Sequence, residues 1–214
     1  MPTPAEILVA LRAAEEAGDL DAIDLHRAAY LEEAPNGPEA AEIQYRLGLS
    51  QLFRHQNTDE AMKRFKEAAG AKGAPFAEEA RISYALCLLA KQKRQQAIFE
   101  LRRLLPVGAP PSIHTAQALD FLALLLRESG ASAADIARAD AQRQEHLQAL
   151  LAATRDPVEK AHFSLRLGAA YADGGTQMDH ARARACFNDV LKLGPAAGDS
   201  ALQVARAQLK ALPR

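Results

Sequence analysis

Apolar residues recur at intervals of three and four along almost the whole chain. Ile7, Leu8 and Leu11, followed by Leu20, Ile23 and Leu25, keep the i, i+3, i+4 rhythm of helices with one buried stripe. The rhythm breaks at regular places. Pro38, Pro75, Pro111, Pro157 and Pro195 stand 37, 36, 46 and 38 residues apart. Proline is tolerated in the first turn of a helix or outside it, not in its middle. A period in the thirties to forties is the mark of a chain built from stacked supersecondary units.

Each interval holds a second, weaker break. Gly18-Asp19 divides the first, His55 to Asp59 the second, Lys91 to Arg94 the third, Ser129 to Ser132 the fourth and Asp173 to Thr176 the fifth. Asn57 or Thr58, and Ser132 with Asp135 three residues on, read as helix starts. Every repeat is then a helix, a tight turn and a second helix. The boundaries expected are 4–35, 38–72, 75–107, 111–153 and 157–195, with a solitary capping helix over 198–212 that carries Leu202, Val204, Ala205 and Leu209. A cap of this kind covers the last open face of a repeat array.

The second repeat reads Gln44, Leu47, Gly48 and Gln51, then Ala61, Phe65 and Ala68. The third reads Arg81, Tyr84, Ala85 and Leu88, then Ala97, Leu101 and Leu104. The fifth reads Ser164, Leu167, Gly168 and Tyr171, then Ala183, Phe187, Val190 and Pro195. The first is weaker, with Val9, Ala10 and Ala13, then Ala22, His26 and Ala29. This pattern resembles the tetratricopeptide repeat (TPR). The resemblance implies an all-α solenoid of antiparallel helix pairs, 1–214 as one domain, wound as a right-handed superhelix. No repeat has the family's tryptophan, and the fourth repeat, Pro111 to Ala153, does not match in detail. Gly48 and Gly168 are expected to let a partner helix backbone approach, with Phe65 and Phe187 filling the gap between repeats.

Composition agrees with helices. Only 5% of residues are aromatic and there is no tryptophan, while Ala, Leu, Glu, Arg and Gln dominate. The formal net charge of −1 excludes a general polyanion binder, but its distribution is uneven. Residues 1–42 carry −8, 43–105 carry +6, 106–156 carry −2 and 157–214 carry +3. Such asymmetry can steer a partner or a second copy. No basic leader precedes the first apolar run, and the apolar runs, Phe121 to Leu126 among them, are too short to span a bilayer. Cys87 and Cys186 fall inside helical segments and read as packed thiols. A cytoplasmic protein without membrane insertion is the expectation.

Catalytic and cofactor motifs are not found: there is no HExxH, CxxC, GxxxxGK[ST] or GxSxG. The glycines from Gly168 to Gly175 fall in a helix and a turn, without the strand that a phosphate cradle needs. The six histidines are scattered, and His26 stands where the family packs an aromatic. No enzyme activity, metal or cofactor is expected. Lys91, Lys93, Arg94, Arg102 and Arg103 form a basic cluster without interleaved aromatics, so nucleic acid is not the expected partner.

The family lines a concave face with the first helix of each repeat. Carried over by position, that face presents Ile7 and Leu11, then Tyr45, Leu49, Leu52 and Phe53, then Ile82, Leu86 and Leu89, and later His162, Leu165 and Asp173. The segment Ile82 to Leu89 is apolar on nearly all sides, as is Phe121 to Leu126. Such a helix is either buried all round or offers an adhesive face. The expectation is a non-enzymatic adaptor that takes a partner helix or apolar peptide in this groove. Arg46 and Arg54 sit on its rim, and the family's carboxylate-clamp Lys and Asn are absent. The alternatives are a homo-oligomer built through charge-complementary ends, a chaperone for an apolar client segment, and a groove filled by the protein itself.

Overall fold

The structure is a computed structural model and describes residues 2–71, 73–106, 108, 110–173 and 179–213. Among these residues the elements are α1 (Pro4–Ala17), α2 (Leu20–Glu33), α3 (Ala40–Phe53), α4 (Thr58–Gly70), α5 (Ala77–Ala90), α6 (Arg94–Arg102), α7 (Ile113–Glu128), α8 (Ala133–Ala153), α9 (Pro157–Ala172), α10 (His180–Lys192) and α11 (Asp199–Ala211), with a short 3-10 turn over Gly194–Ala197 before the last. Their order is five consecutive helix pairs and one further helix. The prolines do what their chemistry allows. Pro38, Pro75 and Pro111 stand just ahead of α3, α5 and α7, and Pro157 opens α9 where no amide donor is needed.

Polar caps fix the helix starts. Thr3 and Glu6 form a reciprocal capping box. Asn57 accepts from the Glu60 amide at 3.1 Å, Ser132 from the Asp135 amide at 3.1 Å, and Asp156 from those of Val158 and Glu159. Each occupies an amide that the first turn leaves without an intrahelical partner. Gly18 ends α1 in the left-handed region, at φ 68°, which a glycine enters without steric cost. The turn expected over Asp173 to Thr176 lies, after Asp173, outside the described residues.

The chain forms two compact units, Met1–Glu100 and Leu101–Arg214. In the N-terminal unit, α1 and α2 enclose Ile7, Leu11, Ile23, Tyr30 and Leu31, joined by Ile43 and Leu47 of α3. A second cluster centres on Ala61, Phe65 and Cys87. In the C-terminal unit, one core joins Leu147, Phe163, Leu167, Tyr171, Phe187 and Val190 to Leu202 and Ala205 of α11. That helix caps the core as its sequence suggests, although Val204 faces outward at 43% exposure.

Helix pairing turns on one contact. A Cβ at Gly48 would lie 2.6 Å from Cε1 of Phe65, and a Cβ at Gly168 would lie 2.5 Å from Cε1 of Phe187. Each glycine is therefore the seat of its own hairpin's aromatic ring. The ring also meets the next element, since Cys87 of α5 shares the Phe65 cluster and Leu202 and Ala205 of α11 share that of Phe187. Phe65, Leu101 and Phe187 are each the eighth residue of their helix and none has any measurable exposure.

That register also explains the weak first repeat and the unmatched fourth. The eighth residue of α2 is Arg27, and the eighth of α8 is Asp140. Leu20 and Leu25, expected in the buried stripe, are 54% and 67% exposed. Tyr30 is the aromatic that α2 buries, at 1% exposure, and His26 is only half-buried. The Tyr30 hydroxyl donates to Glu39 at 2.5 Å, and burial raises its pKa.

Replacing Gly168 by Ala forces the Phe187 ring out of its seat. Such overpacking costs about 1–3 kcal/mol. Chemical denaturation of the Gly168→Ala variant should show that loss, whereas Gly70→Ala, where an added methyl meets open space, should change stability by under about 0.5 kcal/mol.

Candidate functional site

The residues expected in the groove come from α3 and α5, which touch within the N-terminal unit. They fall into two groups. Phe53 is 74% exposed at the C-terminal end of α3, and Leu86 is 38% exposed near the middle of α5. Leu49, Leu52 and Leu89 are half-buried. Leu49 and Leu52 rest on the cluster of Ala61, Phe65 and Cys87, so their outer faces remain open. Ile82, by contrast, is 3% exposed and offers no surface to a partner. Its side of α5 turns inward with Ala85, Cys87 and Leu88, and the helix that looks apolar all round leaves one leucine, Leu86, substantially exposed. Of the residues expected from α1, Ile7 and Leu11 are likewise buried in the core.

Tyr45 is covered from two sides. Its ring lies 5.8 Å from that of Phe65 and stacks at 5.5 Å on that of Phe76, with 17° between the planes. Phe76 sits in the left-handed region at φ 65°, which a bulky residue adopts only when its surroundings hold it there. The Arg46 guanidinium closes the stack, 5.7 Å above the Phe76 ring. The sequence pattern contains no signal for this, because the pre-helix loop residue Phe76 is brought onto α3 only by folding.

The two rim arginines differ. Arg46 is exposed and pairs with Glu42 one turn earlier, with its Nε donating at 2.7 Å. Arg54 is already engaged. It binds Asp24 and Asp21 at 2.8 Å each and donates to the Leu20 carbonyl at 2.9 Å. Ser50 and His55 also reach Asp24. Arg54 thus ties the end of α3 to the start of α2.

Charge of a different kind lies in the C-terminal unit. Asp140 has no exposed surface and holds Arg127 Nη2 at 2.5 Å. Asp120 bridges Arg143 and Arg166, the latter at 2.8 Å, and so links α7, α8 and α9. Asp140 Oδ2, Arg127 Nε and Gln144 Nε2 are buried without a hydrogen-bond partner. Burial raises the Asp140 pKa, against the attraction of Arg127 and Arg143 and with the repulsion of Asp173. An enclosed carboxyl of this kind cannot reach a substrate, and its position is that of the core aromatic in α4 and α10. His162, on the neighbouring α9, has its pKa lowered by burial and by Arg166. Leu165 packs partly on the core, and Asp173 ends α9.

No protein-family model and no curated protein sequence matches the chain. Solved structures do. BtubC (BKLC) from P. vanneervenii is similar over 98% of this chain and 82% of its own, at 17% identity and a TM-score of 0.57. PilW, whose structure is described as that of a widely conserved type IV pilus biogenesis factor, is similar over 94% of this chain and 82% of its own, at 17% identity and a TM-score of 0.57. MamA is similar over 86% of this chain and 93% of its own, at 17% identity and a TM-score of 0.51. At such identities the likeness is one of fold. Together with the five helix pairs, and the glycine seat of the ring in two of them, it gives this chain a tetratricopeptide-like helical-repeat fold. Among the described residues no helix is long and apolar enough to cross a membrane.

The buried Asp140 has a measurable consequence. Its folded-state pKa is raised above the usual carboxylate value, so the folded protein takes up a proton before the unfolded chain does as pH falls. Stability tied to this group is present at low pH and lost as pH rises through the raised pKa. An Asp140→Asn variant keeps an acceptor for Arg127 but cannot titrate. Thermal melts from pH 7 to pH 4 should show the wild type gaining stability relative to the variant. A constant difference between them would contradict the assignment.

Proposed function

We propose that this chain is a non-enzymatic interaction module that docks a helix or apolar segment of a partner protein on the α3–α5 face of its N-terminal unit. The observation that carries this reading is that Phe53 of α3 and Leu86 of α5 are large apolar side chains left in solvent, on two helices that touch and that also leave Leu49, Leu52 and Leu89 half-buried. Exposed aromatic and aliphatic side chains beside half-buried ones are the material of interface anchors. Tyr45 and Arg46 frame one end through their stack with Phe76. Ile82 contributes only by supporting α5 from beneath.

The charge-paired assembly of copies has less support. Asp21 and Asp24 hold Arg54, and Glu15 holds Arg27, within the same unit. These acids are therefore partly neutralised before any second copy arrives. The two cysteines fit a reducing, cytoplasmic setting. Both are free thiols, and burial raises their pKa, that of Cys186 to about 11.

The test is affinity capture from a native lysate with the wild type, Phe53→Glu and Leu86→Glu in parallel. A charge placed in a desolvated apolar contact should lower partner recovery by about tenfold or more. Both positions are solvent-exposed, so the helical signal in the far ultraviolet should not change. Undiminished recovery with both variants would overturn the docking face.

A further inference from the structure

Tyr45, Leu49, Leu52 and Phe53 follow one another at helical spacing along one side of α3. At the Tyr45 end this stripe is covered by Phe76, which comes from the loop between α4 and α5 and stacks its ring on that of Tyr45 at 5.5 Å. Phe76 breaks three local rules at once. It is a bulky residue in the left-handed region, at φ 65°. It stands at the N-cap of α5, where an extended backbone is usual. Its side chain has no oxygen to offer the first turn of that helix, whereas Asp19, Asn57, Ser132 and Asp156 supply one at theirs. A residue that violates local preference in this way is held by its contacts, and such places concentrate where function needs them.

The slot and its occupant are held differently. Tyr45 is supported from beneath by Phe65, with ring centroids 5.8 Å apart. Arg46, whose guanidinium lies 5.7 Å from the Phe76 ring, is held by Glu42 at 2.6 and 2.7 Å. Both walls therefore keep their place without Phe76. The loop that carries the occupant is closed by turns of its own, the Ala74 amide donating to Ala71 at 3.1 Å and the Ala77 amide to Ala74 at 3.3 Å. A cavity of about 660 Å³ borders Ala71 and Ala74, so the loop has room beside it. The cost of the Phe76 backbone is of the same order as the gain from one aromatic stack and one cation–π contact. Two ring positions, in the slot and out of it, then lie close in free energy, and a partner that supplies its own ring shifts the balance.

We infer that Phe76 is an exchangeable occupant, and that a partner helix docked on the α3–α5 face displaces it with an aromatic side chain of its own. The ring now in the slot states what the slot accepts, a flat π face against Tyr45 within reach of the Arg46 cation. The spacing follows from α3. Tyr45 and Leu52 are seven residues apart, about 10 Å along a helix. A partner helix running along α3 therefore carries its aromatic seven residues from an aliphatic side chain. The inference rests on the docking face proposed above and names the chemistry of the partner at one end of it.

The probe is a fluorescein-labelled amphipathic helical peptide whose apolar positions are one phenylalanine and two leucines, four and seven residues after it, followed by fluorescence anisotropy. A comparison peptide carries cyclohexylalanine in place of the phenylalanine, which keeps the bulk and removes the π face. Phe76→Gly takes the ring away and leaves a left-handed backbone without steric cost. That variant should bind the phenylalanine peptide about tenfold more tightly than the wild type does, because the slot no longer has to be vacated. It should also prefer that peptide to the cyclohexylalanine one. If the variant fails to fold, Phe76→Trp keeps the test, since the chain has no other tryptophan. Saturation with the phenylalanine peptide should then shift the tryptophan emission to the red and open it to acrylamide quenching. Equal or weaker binding by Phe76→Gly, equal affinity of that variant for the two peptides, or a tryptophan emission that does not move at saturation would overturn the inference. Leu86→Glu separates this inference from the face itself. Binding lost in Leu86→Glu with no gain in Phe76→Gly keeps the face and removes the exchange. A gain in Phe76→Gly that survives Leu86→Glu keeps the exchange and removes the α3–α5 face.

Discussion

Two helices pack at close range only if one of them gives up volume where the other projects it. In this protein that exchange is the seating of a ring on a glycine, Phe65 on Gly48 and Phe187 on Gly168. The contact sets the separation of the two helices, and the alanines one turn away, Ala61 and Ala183, keep it close. Once the pair is closed, its remaining apolar residues face the next helix in the chain. Cys87 of α5 joins the Phe65 cluster in this way, and Leu202 and Ala205 of α11 join the Phe187 cluster. The exposed apolar face at Phe53 and Leu86 also depends on it, because the ring seat fixes which side of α3 turns inward.

The two hairpins that replace the ring with a charge show what the ring supplies. At Asp140 the carboxyl takes the ring's place under full burial, and Arg127 answers it while Arg143, Asp120 and Arg166 carry the polar chain onward to α9. A buried ion pair of this kind seldom adds stability over an apolar core of the same volume. Its geometric demands are stricter, however, and the adjoining Asp120 ties α7 to both α8 and α9. At Arg27 the charge reaches Glu15 and leaves space on either side. One charge thus fills its site with a network, and the other leaves clefts beside it.

Much of this was legible along the chain. The proline period, the caps at Asn57 and Ser132, and the small–aromatic spacing of the second and fifth repeats depend on local sterics and hydrogen bonding, which act within a few residues. The first and fourth repeats were harder to read because the signal sought was an apolar one. His26 was aligned to the aromatic position by its neighbour Ala22, yet counting from the Asp19 cap puts Arg27 there and makes Tyr30 the buried ring. The same count places Asp140, which composition alone gives no reason to bury.

The sequence by itself determined that the chain is helical, where the helices begin and end, and that they pair. Those outcomes follow from backbone dihedral limits and from short-range periodicity. Tertiary structure decided which apolar residues remain outside. Leu86 and Ile82 are one turn apart on the same helix, and only the packing of α5 against its neighbours leaves one open and hides the other. It also decided the partners of charge. Arg54 meets residues 30 and 33 positions away, and Tyr45 meets Phe76 from a loop beyond the next helix. Contacts between distant residues leave no local periodicity, because their cost and gain arise only when the chain has closed.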